Sequence, residues 1–283
     1  MTMIKSTAAM PAHQNLILDS DLIHDLIEFL KANGGSLRAS AVADQILLVP
    51  TLNEEFAALL VADLIAFDSR IRLKENYTLE LNLPDTDALK LAETEFIVFD
   101  TETTGAKPPY SRMTEIGCYK IKNGEIVDEF ETLLNPQTPI PPFISALTGI
   151  TDKMVARAPL FSEVAADLLN FIGDAVLVAH NAAFDIKFLN AEICRTFKGC
   201  KVANTHLCTV RLSRKLLPDL ANHRLHTVAE HFSIPIYNRH RAGGDALATA
   251  RIFVNLLEDL HRRGVYDIGS ARNLSHYLKG NCA

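Results

Sequence analysis

The sequence predicts an α/β domain over about its last two thirds, preceded by a small domain of helices closed by a hairpin. Three observations carry this. After residue 94, short β-rich apolar runs such as EFIVFD (95–100) and AVLVAH (175–180) alternate with amphipathic helical stretches. Before residue 94, three helical patterns are followed by a single alternating pair of strands. Charge divides the chain at the same place: residues 1–90 hold seven Lys and Arg against 13 Asp and Glu, whereas 91–283 hold 21 of each, so the whole net charge of −6 sits in the first part.

In chain order, MTMIKSTAAMPAHQNL is expected to be loose. Asp19 or Ser20 then caps DLIHDLIEFLKANGG, a helix with Leu22, Ile23, Leu26, Ile27 and Leu30 on one face and Gly34-Gly35 as its stop. A second short helix is expected over 40–48. A third opens at Asn53, whose side chain caps NEEFAALLVADLIAF while Glu54 and Glu55 suit its first turn. RIRLKENYTLELN alternates as a hairpin. This succession resembles a winged-helix domain, placed at residues 1–84. The third helix carries Glu54, Glu55 and Asp63 and no Lys or Arg, so phosphates are repelled from it. A protein-binding or structural role is favoured over DNA docking, and a protein partner is expected through residues 1–90. LPDTDALKLAE reads as a polar linker, bounded at 85–93.

From residue 94 strands lead. EFIVFD is a buried strand, and MTEIGCYKIKNGEIVDEFETLLNP is two strands joined at Asn123-Gly124, a strong hairpin signal. FSEVAADLLNFIGD is a helix, AVLVAH a buried strand and NAAFDIKFLNAEICRTF a helix. LCTVRLSRKLLP, HTVAEHF and DALATARIFVNLLEDLHRR are the later helices of a domain placed at 94–262, followed by a tail, 263–283.

Composition narrows the class. At 283 residues and 48% hydrophobic, the chain fills real cores. The N-terminal stretch has no apolar segment of signal-peptide type, and the longest apolar run is broken by Asp63, so neither secretion nor a membrane span is expected. Five cysteines (Cys118, Cys194, Cys200, Cys208, Cys282) form no C-x-x-C pair, which argues against a disulfide framework or zinc knuckle and for reduced thiols in a cytoplasm. The spacings of His206, His223, His226 and His231 match no closed zinc site.

Three stretches suggest chemistry. FDTETTG (99–105) sets Asp100 and Glu102 one residue apart at a strand end, where open α/β sheets keep their sites. Side chains so spaced point the same way and repel without a cation between them. The bland reading is a strand-end turn, and acid-x-acid pairs also stand at 19/21, 85/87, 93/95 and 129/131. VLVAHNAAFDIKFL places Asp185 in the first turn of a helix, and HRAGGDALATA places Asp245 likewise, five residues after His240, with Gly243-Gly244 to let the backbone bend. Each aspartate alone reads as a favourable helix-N-terminal acid. Together the four carboxylates make a hard-oxygen cage for two magnesium-sized ions.

At these residues the sequence resembles the DEDDh 3′–5′ exonucleases, the histidine subgroup of the DEDD family that includes the proofreading epsilon subunit of bacterial DNA polymerase III. FDTETTG, VAHNAAFDIKFL and HRAGGDA match that family's three motifs in order, and RMTEIGCYKIKNG, ALTGIT and HRLHTVAEHFSI extend the likeness over about 94–262. The resemblance implies an RNase H-like fold, a mixed central sheet flanked by helices. It implies that Asp100, Glu102, Asp185 and Asp245 hold two Mg²⁺ ions, which Mn²⁺ replaces, and that His240 is the general base. It places Thr103 and Thr104 beside the terminal nucleotide of a single-stranded 3′ end of DNA or RNA. His180 is expected to cap or pack rather than bind metal. Competing expectations are a non-catalytic nucleic-acid-binding scaffold on the same fold and a different two-metal hydrolase.

Overall fold

The structure, a computed structural model, describes residues 15–276 apart from 67, 84 and 109. The expected loose N-terminus falls outside the described residues up to residue 14; Asn15 is a buried turn residue and Leu16 already begins a strand. Contacts divide the chain into two units, the first comprising residues up to 84 with 197–203, the second 85–196 with 204 onward.

The first unit contains β1 (Leu16–Leu18), α1 (Asp21–Ala32), β2 (Ser36–Arg38), α2 (Ala39–Gln45), α3 (Glu54–Ile65), β3 (Ile71–Leu73) and β4 (Thr78–Leu81). Its antiparallel sheet has the order β2-β4-β3. Ile23, Leu26, Ile27 and Leu30 of α1 pack with Val42, Ala57, Val61 and Leu79 in one core, as the helical spacing of apolar residues requires. Asn53 caps α3, its Oδ1 accepting the Phe56 N–H at 3.0 Å. Ser20 occupies the N-cap position of α1 without a side-chain bond. β1 pairs antiparallel with Cys200–Val202, β9 in chain order, a strand from within the later α/β region.

The second unit holds β5 (Phe96–Thr103), β6 (Met113–Lys122), β7 (Glu125–Leu133), α4 (Pro142–Thr148), α5 (Asp152–Val155), α6 (Phe161–Ile172), β8 (Val176–Ala179) and α7 (Ala182–Thr196). After β9 follow β10 (His206–Cys208), α8 (Thr209–Leu216), α9 (Leu225–His231), α10 (Ala242–Arg262) and α11 (Ile268–His276). The five-stranded sheet has the order β10-β8-β5-β6-β7, parallel across β10, β8 and β5 and antiparallel across β5, β6 and β7. Asn123 and Gly124 take φ of 53° and 77°, the left-handed pair that a tight hairpin needs. α10 lies over β5 and β6, its Phe253 edge-on to Phe96 with ring centroids 4.9 Å apart.

The stretch expected as a linker belongs to this second unit. Thr86–Ala88 is a short 3₁₀ turn, Lys90 bridges Asp267, and Leu91 N–H donates to Tyr266 O at 2.8 Å. Residues 263–276, expected as a tail, supply the other half of these bonds and the helix α11. Among the described residues no helix is long and apolar enough to cross a membrane.

Candidate active site

β5 lies between β6 and β8, and its C-terminal end carries Asp100, Thr101 and Glu102. β8 runs parallel beside it and ends at Ala179; Asn181, with φ of 79°, turns the chain into α7, and Asp185 falls in the first turn. Asp245 is in the first turn of α10. One carboxylate oxygen each from Asp100, Glu102 and Asp245 lies within 4.8 Å of the other two. Asp185 is held beside them by Thr101, whose N–H and hydroxyl both donate to its Oδ1, at 3.1 and 2.8 Å. Three chain segments far apart in sequence thus converge on one sheet end.

The backbone bend before Asp245 is made at a different place from the one the sequence suggested. Gly243 and Gly244 are helical, and the left-handed residues are Asn238 (φ 50°) and His240 (φ 62°). Strained backbone of this kind persists where surrounding structure fixes it, and here His240 N–H donates to Asp245 Oδ2 at 3.1 Å. Gly243 serves close packing instead: a Cβ on its neighbour Gly117 of β6 would stand 2.6 Å from Gly243 N and 2.7 Å from Gly243 Cα.

The electrostatics are those of crowded acids. Burial, then the charges of Asp185, Glu102 and Asp245, hold the Asp100 carboxyl well above its usual range. Glu102 is pushed up to about 8 by burial and by Asp245, Glu115 and Asp185, with Arg241 opposing. Asp185 rises to about 7 through burial, against the two Thr101 bonds. Asp245 is raised mainly by burial.

Three residues of this arrangement escaped the sequence reading. Thr101 is one. The others are Glu115, opposite Glu102 in the β5–β6 register, and Arg241. Glu115 accepts from Arg241 Nε at 3.0 and 3.1 Å, from Arg241 Nη2 at 2.5 Å and from Ala242 N–H at 2.8 Å, fixing the start of α10 to the sheet. Both stood inside stretches that matched the family, RMTEIGCYK and HRAGGDA, but neither composition nor spacing set them apart.

Thr103 and Thr104 lie buried directly after Glu102. Thr103 Oγ1 donates to Gly105 O at 2.7 Å, and Thr104 Oγ1 accepts from Arg112 N–H at 3.0 Å, so both hydroxyls shape the following loop. His180 bonds Thr209 Oγ1 at 2.9 Å and His223 O at 3.0 Å, and burial lowers its pKa to about 4, a packed neutral ring as expected.

A divalent cation fits this site on the structure's own terms. Every donor is a carboxylate oxygen, suited to a small hard ion. Among the described residues, Asp245 Oδ1 is buried without a hydrogen-bond partner. Such an orphaned acceptor among like charges is costly unless a cation meets it.

With that geometry in place, known proteins offer a comparison. A family model described as Exonuclease matches residues 97–253. The chain belongs to the exonuclease family. This exonuclease is 37% identical over 190 residues to the DNA polymerase III subunit epsilon of Aquifex aeolicus, covering 67% of the chain and 93% of the relative. It is 47% identical over 182 residues to a PolC-type DNA polymerase III of Caldanaerobacter subterraneus, covering 64% of the chain and 13% of that much longer protein. The chain therefore spans a small fraction of the PolC-type relatives' length. Among solved structures, exonuclease X in complex with 5′ overhanging duplex DNA superposes with a TM-score of 0.52 at 25% identity, over 64% of this chain and 99% of that one. The central mixed sheet flanked by helices is the RNase H-like exonuclease fold the motifs implied, and the exonuclease-family match spans it.

Proposed function

We propose that this exonuclease removes nucleotides singly from a single-stranded 3′ end of DNA, releasing nucleoside 5′-monophosphates, with Asp100, Glu102, Asp185 and Asp245 as ligands of two divalent cations. Mg²⁺ is the ion proposed, with Mn²⁺ able to replace it. The relatives' identity as DNA polymerase III subunits favours DNA over RNA. When bound, the cations supply positive charge at the scissile phosphodiester and make the attacking water more acidic.

The chain's own residues do the rest. The raised carboxylates concentrate negative charge that only a cation or a proton relieves. Thr101 fixes Asp185, and the Glu115–Arg241 pair fixes the segment that bears His240 and Asp245. His240 takes the proton of the attacking water on an imidazole nitrogen. As the water oxygen bonds to phosphorus, the P–O3′ bond breaks, the O3′ oxygen left on the shortened strand takes a proton from solvent to become a hydroxyl, and the terminal nucleotide leaves with its 5′-phosphate. Thr103, the last residue of β5, and Thr104 just after it border the position of the terminal nucleotide.

The observation that carries this reading is the unpartnered, buried Asp245 Oδ1 in a cluster of upward-shifted acids. The test is a 5′-labelled single strand incubated with Mg²⁺ or with EDTA. Stepwise shortening from the 3′ end, abolished by chelation, is expected. Internal fragments would point to an endonuclease and no cleavage to a scaffold, and either would overturn the proposal.

Unit 1 is proposed to be a winged-helix-like module bounded near residue 84, a reading supported by the order α1-β2-α2-α3-β3-β4 and the β2-β4-β3 sheet. A protein-binding role suits it better than DNA docking. Five of its basic side chains are already paired: Lys31 with Glu28, Arg38 with Glu54, Arg70 with Asp68, Lys74 with Glu80 and Lys201 with Asp19. Reduced thiols at Cys118, Cys194 and Cys208 are consistent with a cytoplasmic setting.

A further inference from the structure

Helix α3 of unit 1 has two apolar faces. Ala57, Ala58, Val61 and Ile65 bury one of them in the unit's core. The other presents Phe56 and Leu59, 48% and 67% exposed, and Leu52, just before the Asn53 cap, is fully exposed beside it in sequence. Residues 56, 59 and 63 follow the three-to-four spacing that lines up one helical stripe, so Asp63 continues the row. Leu48 and Val49, in the segment leading into the helix, are exposed as well. Single exposed leucines are ordinary, but five large exposed apolar side chains between residues 48 and 59, on the helix and the segment leading into it, mark an interaction surface.

The charges around this stripe decide what it takes. Glu55 stands beside Phe56 and Asp63 closes the row, and α3 contains no Lys or Arg. Among the described residues neither Glu55 nor Asp63 has an ion-pair partner. An anionic lipid surface or a phosphate backbone would be repelled. A second copy related by a two-fold axis would set Glu55 and Asp63 against their own kind. A cationic apolar segment is attracted on both counts.

We propose that this face seats a basic amphipathic helix from a protein partner, whose apolar residues at i, i+3 or i+4, and i+7 meet Leu52, Phe56 and Leu59 while Lys or Arg on its flanks oppose Glu55 and Asp63. The inference deepens the reading of unit 1 as a partner module and does not depend on the nuclease chemistry.

The test uses the full chain and a fluorescein-labelled helical peptide of about 18 residues, roughly five turns, with Leu on one face and Lys on its flanks. A matched peptide carries Glu in place of Lys. Fluorescence anisotropy is expected to show binding of the basic peptide only, weakened by raising salt to about 0.3 M. Phe56→Gln with Leu59→Gln is expected to weaken binding at least tenfold. Glu55→Lys with Asp63→Lys, which leaves the apolar row intact, is expected to reverse the preference toward the acidic peptide. All variants should keep the wild-type melting curve and exonuclease rate. Binding of the basic peptide that survives both double substitutions would leave unit 1 a partner module but overturn this face. Equal binding of both peptides overturns the charge argument. No binding, or a concentration-dependent dimer lost with Phe56→Gln and Leu59→Gln, overturns the proposal.

Discussion

Replacing Glu102 by glutamine should make the metal-free protein more stable. The glutamate pKa rises from 4.5 to about 8 on folding, driven by burial and by the charges of Asp245, Glu115 and Asp185. For an acid raised in this way the native state keeps its proton between the two values while the unfolded chain has lost it. Stability therefore falls as pH climbs from about 4.5 and the loss is complete near pH 8. At about 1.4 kcal/mol per unit, the ionised side chain costs roughly 5 kcal/mol above pH 8. Glutamine has nearly the same shape and no charge, so Glu102→Gln escapes that cost. In EDTA at pH 8.5 the variant should melt on the order of 10 °C above wild type, given about 2–4 °C per kcal/mol for a domain of this size. At pH 5 the two should nearly coincide. Mg²⁺ should raise the wild-type melting temperature, by about 2.7 kcal/mol of stability at a hundredfold excess over its Kd, and raise the variant's less. Circular dichroism melts at the two pH values, with EDTA and with Mg²⁺, check this. A variant no more stable than wild type at pH 8.5, or a gap unchanged at pH 5, would refute the crowded-carboxylate reasoning.

Other substitutions probe the remaining parts. Asp100→Ala should abolish turnover of a labelled oligonucleotide while far-UV circular dichroism stays native; wild-type-like activity would remove Asp100 from the site. Thr101→Val keeps the shape and deletes the hydroxyl bond to Asp185, so Mg²⁺ affinity read from melting curves should fall about tenfold, in line with about 1.5 kcal/mol for a bond to a charged group. Gly117→Ala sets a Cβ 2.6 Å from Gly243 N, and urea unfolding should show a loss of about 1–3 kcal/mol together with lost activity as α10 is displaced. Trimming the chain to start at residue 94 should melt lower than trimming it to start at 85. The longer cut removes Leu91, whose N–H bonds Tyr266 O, and Leu89, which accepts from Ile268 N–H at 2.9 Å.

Local signals in the sequence were enough for elements whose cause is local. The Asn123-Gly124 turn, the Asn53 cap and the apolar stripe of α1 each depend on a few neighbouring residues, and each forms where expected, except that Leu22, expected on the α1 stripe, is exposed. What depends on distant partners was not legible. β1 and β9 are three residues each and are made strands only by one another, with Lys201 bonded to Asp19 across 182 positions. Residues 85–93 are polar enough to read as a linker, yet their backbone bonds run to 266–268. Gly243-Gly244 looked like a hinge because glycine more often signals backbone freedom than a missing side chain. Glu115 and Arg241 look like ordinary surface charges until the fold brings them together across 126 positions.

The bland reading of Asp185 and Asp245 as acids at helix N-termini makes a physical prediction of its own. Partial positive charge there favours the carboxylate and should lower its pKa. Both are raised instead, because each is buried. Thr101 offsets part of this for Asp185, while among the described residues one oxygen of Asp245 has no partner. A fold gains nothing from such an arrangement in the absence of a bound cation, since four apolar or singly paired side chains would be more stable at neutral pH. The instability is therefore better explained by what the carboxylates bind than by how they help the chain fold, and the stability gain expected of Glu102→Gln is the direct measure of it.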